Sequence, residues 1–151
     1  MTEKLDSEWV EQEAEEIRAA MKNLVSIFWQ YLYMERGRAA RARETFGWKH
    51  GCRFRDGKTG GNIAWFEYRG GTKYPVQELT FRQVAANAKG LEREWIMEIE
   101  EEAKKIRDLK KKLGEINSRI HGYRQSVENH KATTKIQQLQ DKADNSPRAR
   151  S

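Results

Sequence analysis

Apolar residues recur along this chain with two different periods, and the change of period divides it into three. From Ser7 onward the repeat is helical. Val10, Ile17, Leu24 and Tyr31 stand seven residues apart, with Ala14, Met21 and Phe28 interleaved four residues after the first three. This stripe predicts one long helix over 8–44. Ser7 is placed to cap its start, and Glu8, Glu11 and Glu13 put negative charge where the helix dipole favours it. Gly37 is its weakest interior point, costing about 1 kcal/mol relative to alanine.

A second helical repeat covers 80–128. Thr80 with Gln83 has the form of a capping box. Ile99, Ile106, Leu113, Ile120 and Val127 then occupy one heptad position, and Trp95, Leu109, Ile116 and Tyr123 the other, interrupted only by Glu102. Such a seam predicts a coiled coil or helical bundle. A parallel self-pair would set Lys105 against Lys110. If the chain instead folds back on itself, Glu11, Glu13, Glu15 and Glu16 come beside Lys110, Lys111 and Lys112. Charge therefore selects an intramolecular antiparallel pair. Two helices bury only a narrow strip, so the arms are expected to self-associate into a dimer or tetramer. The oligomerisation residues would be Ile99, Ile106, Leu109, Leu113, Ile116, Ile120 and Tyr123.

Between the helices the period drops to two. Residues 51–55, 62–69 and 72–79 read as strands, joined by the glycine-bearing turns DGKTGG and RGGT. Pro75 cannot donate to a ladder and marks an edge strand. The predicted fold class is α+β: two long helices in an antiparallel coiled-coil-like pair, with a small three-stranded antiparallel sheet between them. It would form a single elongated domain over 1–130, followed at 131–151 by a short helix or a disordered basic tail.

Charge singles out the middle. The 151-residue chain is +6 overall, but residues 1–35 sum to −5, residues 36–82 to +7 and residues 83–151 to +4. Arg36, Arg38, Arg41 and Arg43 lie just before the sheet. Alternation within the sheet allows two solutions. In one, Cys52, Phe54, Phe66, Tyr68, Tyr74 and Val76 are buried, leaving Arg53, Arg55, Trp65, Arg69 and Lys73 on an open face suited to phosphate contact and stacking. In the other, Trp65 and Ile63 are core and the arginines solvate an edge.

Other chemistry is missing. DGKTGG lacks the full phosphate-loop spacing and lies between strands. One cysteine, Cys52, excludes an intramolecular disulfide or a multi-cysteine metal site. His50 and Cys52 fall on one side of a strand, but no third group orients them as a nucleophile and base. The three histidines are not spaced as metal ligands. The acidic N-terminus has no apolar signal region, and no apolar run approaches a membrane span, so a cytoplasmic, reducing setting without a membrane partner is expected.

The sequence thus points to a non-enzymatic, cofactor-free nucleic-acid-binding protein, a DNA-binding regulatory or accessory factor with duplex DNA as the expected partner. Its contact residues would be Arg41, Arg43, Lys49, Arg53, Arg55, Lys58, Trp65, Arg69 and Lys73. Two alternatives use the same features: a small mobile-element-type inhibitor or adapter that binds another protein, and a sponge for an anionic nucleotide.

Overall fold

The computed structural model describes residues 2–57, 61–68, 75–132 and 134–145. Its elements are α1 (Thr2–Arg41), β1 (His50–Arg55), β2 (Asn62–Tyr68), β3 (Pro75–Leu79), α2 (Phe81–Asn87), α3 (Gly90–Ala132) and α4 (Thr134–Asp144). The class is α+β, with one antiparallel sheet in the order β1-β2-β3. Pro75 lies on edge strand β3, where a missing N–H costs no central ladder bond. The chain divides into two units, Met1–Lys112 and Leu113–Ser151.

The first unit, the head, is organised by the α1 stripe. Met21, Leu24, Phe28 and Leu32 recur at helical spacing and are all buried. They meet Cys52, Trp65 and Leu79 from the three strands, Val84 of α2 with Ala88 at its end, and Ile96, Ile99 and Ala103 from α3 in one core. Alongside β1, Arg18 pairs with Asp56, Lys22 lies over the Phe54 ring, and the Trp29 indole N–H donates to the Cys52 carbonyl at 2.8 Å. Rising α1 numbers thus meet falling β1 numbers, so α1 runs against β1.

Helix α3 runs the other way. Its first turn meets the start of β1 through Glu92, and Arg107 reaches Asn62, whose cross-strand partner is Arg55 at the end of β1. The two helices are therefore antiparallel. Trp95 donates to the Phe28 carbonyl at 3.3 Å and its ring lies 4.3 Å from that of Tyr31. That alignment matches the fold-back derived from charge. The charges themselves do not meet: among the described residues no ion pair joins Glu11, Glu13, Glu15 or Glu16 to Lys110, Lys111 or Lys112.

One predicted element is corrected. The helix expected over 80–128 is two helices. The Thr80–Gln83 capping box forms as expected, but α2 ends after seven residues at Ala88, which is extended (φ −74°, ψ 151°). Gly90 then restarts the helix at φ +57°, a conformation that glycine adopts without the steric cost of a Cβ. The break lets α2 lie on β2 and β3 while α3 takes its own direction.

A single buried carboxylate fixes that direction. Glu92 in the first turn of α3 accepts the Lys49 and His50 backbone N–H groups at 2.7 and 3.0 Å, and its other oxygen lies 3.3 Å from His50 Nδ1. The side chain accepts two backbone N–H groups and lies against the imidazole, so its burial is compensated. His50 Nε2, also buried, has no protein partner among the described residues.

The second unit comprises α3 from Leu113 onward and α4. Within the last residues, Thr134–Asp144 form α4, whose Ile136 and Leu139 are exposed.

Phe28 is fully buried and contacts two tryptophan rings, whereas Met34, on the same helix, is 63% exposed. Phe28→Ala should therefore lower stability by about 3–5 kcal/mol in urea unfolding, and Met34→Ala should change it by about 0.5 kcal/mol or less. Equal effects would contradict this packing.

Candidate nucleic-acid interface

The register of the sheet decides which residues face outward. Cys52 lies directly opposite Trp65, and Trp65 opposite Leu79. Directly opposed residues share a face, so the burial of Cys52 carries Trp65 inward with it. Trp65 is 3% exposed. Its ring meets Phe28 edge-on at 5.6 Å and lies 6.4 Å from Phe81, while its indole N–H donates to Glu100 at 3.2 Å. The expectation of a stacking Trp65 on the open face is thereby corrected. Grouping Cys52 with Phe66 would need a one-residue slip of β2, which the observed pairing rules out.

The outer face keeps two of the expected arginines. Arg53 is exposed and sits 5.4 Å over the half-buried Phe66 ring. Arg55 is also exposed but reaches across the sheet to Glu78 at 2.5 Å. Their hydrogen bond and charge attraction hold the Arg55 pKa above its usual value and the Glu78 pKa below its own. A depressed carboxylate stabilises the fold above its unfolded pKa and loses that contribution as pH falls through the folded one. Protonation of Glu78 in acid removes the charge that Arg55 pairs with. Lys58, Arg69, Lys73 and Tyr74 lie outside the described residues, as does the Val76 side chain.

Arg41, Arg43 and Lys49 are exposed, and no ion pair engages them among the described residues. They do not join Arg53 and Arg55 in one patch. Trp29 marks the level of Cys52, and Arg41 lies twelve residues further along α1, about 18 Å at the helical rise. Arg53 and Arg55 lie toward the opposite end of β1. Arg41 is therefore well separated from Arg53 and Arg55.

The group at the end of α1 has company that the sequence reading passed over. Phe46 and Trp48 stack at 5.6 Å with planes 22° apart, and the row continues through Tyr31, 6.1 Å from Trp48, to Trp95. All four rings are half-buried, each leaving some of its surface in solvent. Three cations and two stacked rings thus occur within the nine residues from Arg41 to Lys49. Glu44, the one acid among them, is paired with Arg38 at 3.1 Å, and Arg38 also binds Glu35. The signal was legible in RARETFGWKH, where basic and aromatic residues interleave.

The expected oligomerisation residues separate as well. Ile99 is 2% exposed and belongs to the head core, and Ile106 is half-buried against it. Neither is available to a partner, because the fold-back already uses that part of the seam. Leu109, Ile116 and Tyr123 are exposed, while Leu113 and Ile120 are half-buried.

One recess of about 570 Å³ opens in the head, lined by Trp65, Phe81, Arg55, Glu78, Glu100 and Arg107 among others. Arg107 binds Glu100 at 2.5 Å, so both arginines there are matched by carboxylates and an anionic nucleotide would find no surplus charge. Among the described residues no group of three His, Cys, Asp or Glu side chains is placed to hold a metal ion. No helix among them is long and apolar enough to cross a membrane.

Cys52 is buried, and burial, with the nearby Glu100 charge, pushes its thiol pKa far up. The reactive species is the thiolate. A disulfide reagent should therefore modify Cys52 no faster than the protein unfolds, with rapid reaction only in denaturant; fast reaction of the native protein would contradict its placement. No protein-family profile, curated protein or solved structure matches this chain.

Proposed function

We propose that the protein is a non-enzymatic nucleic-acid-binding protein whose main contact surface is the stretch Arg41–Lys49, and that it prefers single strands to duplex. The supporting observation is the stacked Phe46–Trp48 pair, half in solvent and flanked in the sequence by the exposed Arg41 and Arg43 before it and Lys49 after it. Base stacking on such rings is worth about 1–3 kcal/mol per base and is tolerant of sequence, because every base has a π-face. Cations spaced along the same stretch follow a phosphate backbone. A duplex hides its base faces and would use only the charges.

Arg53 over Phe66 is a second, smaller contact point on the open sheet face. Arg55 contributes little while Glu78 holds it. This reading keeps the partner class expected from the +7 middle segment and moves the contact from the sheet to the end of α1.

Fluorescence anisotropy with labelled oligo-dT, oligo-rU and duplex DNA across a salt series tests it. Single strands should bind more tightly than duplex at each salt concentration. Trp48→Ala should weaken single-strand binding by about 5-fold or more, from the loss of one stacking platform. Arg41→Ala/Arg43→Ala should lower the salt slope by about 1.4, at roughly 0.7 per phosphate on a single strand. Near-native melting temperatures for both variants would assign these losses to contact. Absence of binding at micromolar protein in moderate salt, or a Trp48→Ala variant that binds like the wild type, would overturn the proposal.

A further inference from the structure

Beyond Arg41 the chain as far as Lys49 has no helix or strand, yet it is fastened at both ends. At the first end, Glu44 N–H donates to the Ala39 carbonyl at 2.8 Å and Arg43 N–H to the Ala40 carbonyl at 3.2 Å. These two bonds close α1 in a Schellman motif. The residue that turns the chain is Arg43 at φ +57°, a position that glycine usually takes because it has no Cβ to crowd the backbone.

The second fastening is Glu92. It is 5% exposed, and one of its oxygens accepts both the Lys49 and the His50 N–H. Lys49 precedes β1, so this carboxylate holds a peptide outside the strand. Three residues further along the same face of α3, Trp95 lies 4.3 Å from Tyr31, and Tyr31 lies 6.1 Å from Trp48. The first turns of α3 thus hold Trp48 twice, through the peptide that follows it and through the rings beside it.

His50 adds a cost. Its Nδ1 lies 3.3 Å from the other Glu92 oxygen, while its buried Nε2 has no protein partner among the described residues. A buried polar atom without a partner is unfavourable, and an apolar pair could fill the same space without that penalty. An apolar pair could not accept the two amides. The polar pair is explained by what it holds.

We infer that Glu92 is a positioning residue for the nucleic-acid surface, a role that rests on the reading of Arg41–Lys49 given above. By fixing the Trp48–Lys49 peptide it presents the Phe46–Trp48 rings already ordered, so a base that stacks on them does not have to order them first. The benefit is confined to stacking. Attraction between cations and phosphates extends over about 8 Å at physiological salt and does not need a fixed backbone. Glu92 therefore favours single strands over duplex.

Two variants of the full chain separate holding from packing. Glu92→Met keeps the bulk and the helix propensity but removes the oxygen acceptors, whereas Glu92→Gln keeps a carbonyl oxygen able to take both amides. Glu92→Met should weaken oligo-dT binding by about 5-fold or more while duplex DNA binding and the salt slope stay unchanged. Glu92→Gln should bind oligo-dT like the wild type. In nuclear magnetic resonance spectra of unbound Glu92→Met, the Trp48 indole signal should move toward that of a mobile indole while the Trp65 signal stays in place. The wild-type Lys49 amide should exchange as slowly as the amides of β1, and this measurement decides if Glu92→Met does not fold. Unchanged oligo-dT binding by Glu92→Met, an equal loss of duplex binding, or a rapidly exchanging Lys49 amide would each overturn the inference. A wild type that binds no oligo-dT would overturn the proposed function instead, and the Trp48 and Lys49 signals would still show whether Glu92 holds the stretch.

Discussion

The Trp65 indole sits where α1, the sheet, α2 and α3 meet. Phe28 approaches its ring edge-on, Phe81 lies beside it, and its N–H is received by the Glu100 carboxylate. Cys52 and Leu79 lie opposite it on the two neighbouring strands. A tryptophan buries its large apolar surface favourably only if its N–H keeps a partner, and Glu100 supplies one while bound to Arg107. Placing this one side chain inward fixes the face of all three strands, and with it the side of the sheet that the helices cover. Gly51 follows from the same packing. A Cβ there would come within 2.6 Å of the Trp29 and Tyr68 rings, so the edge strand is bare where Trp29 crosses it.

Much of this was legible in the sequence, for identifiable reasons. The heptad positions of α1 and α3 repeat often enough that helix and seam follow from period alone, and the fold-back alignment follows from sequence length. The sheet elements follow from alternation and glycine-bearing turns. The faces did not follow, because β2 is apolar on both sides: Ile63 and Trp65 on one, Ala64, Phe66 and Tyr68 on the other. Such a strand fits either register until its neighbours choose, and Cys52 made the choice through its pairing with Trp65. The break at Ala88–Gly90 was equally hidden. A lone glycine inside a helical pattern is compatible with an unbroken helix, and only the pull of Glu92 toward the Lys49 and His50 amides shows why the chain turns there.

The candidate site was legible in chemistry but not in place. Arg41, Arg43 and Lys49 belong to it, but arginine and aromatic residues alternate most visibly in the sheet. In the folded protein Arg55 is held by Glu78, and Trp65 is in the core. The stretch 44–49 has no regular secondary structure, so no period marked it. Its rings are ordered instead by the contact of Trp48 with Tyr31, which itself packs on Trp95, contacts that join distant parts of the sequence. Along α3 the seam begins inside the head: Ile99 belongs to its core and Ile106 packs against it.

The account rests on the difference between two indoles, Trp65 as a core residue and Trp48 as a surface platform. Hydrogen exchange of the tryptophan side-chain N–H groups, followed residue by residue by nuclear magnetic resonance, measures that difference directly. The Trp65 N–H, bonded to Glu100 beneath three elements, should be protected by orders of magnitude, exchanging only when the head opens. The Trp48 N–H, which has no hydrogen-bond partner among the described residues, should exchange at close to the rate of a free indole. A rapidly exchanging Trp65, or a Trp48 protected as strongly as Trp65, would contradict both the orientation of the sheet and the surface on which the function is placed.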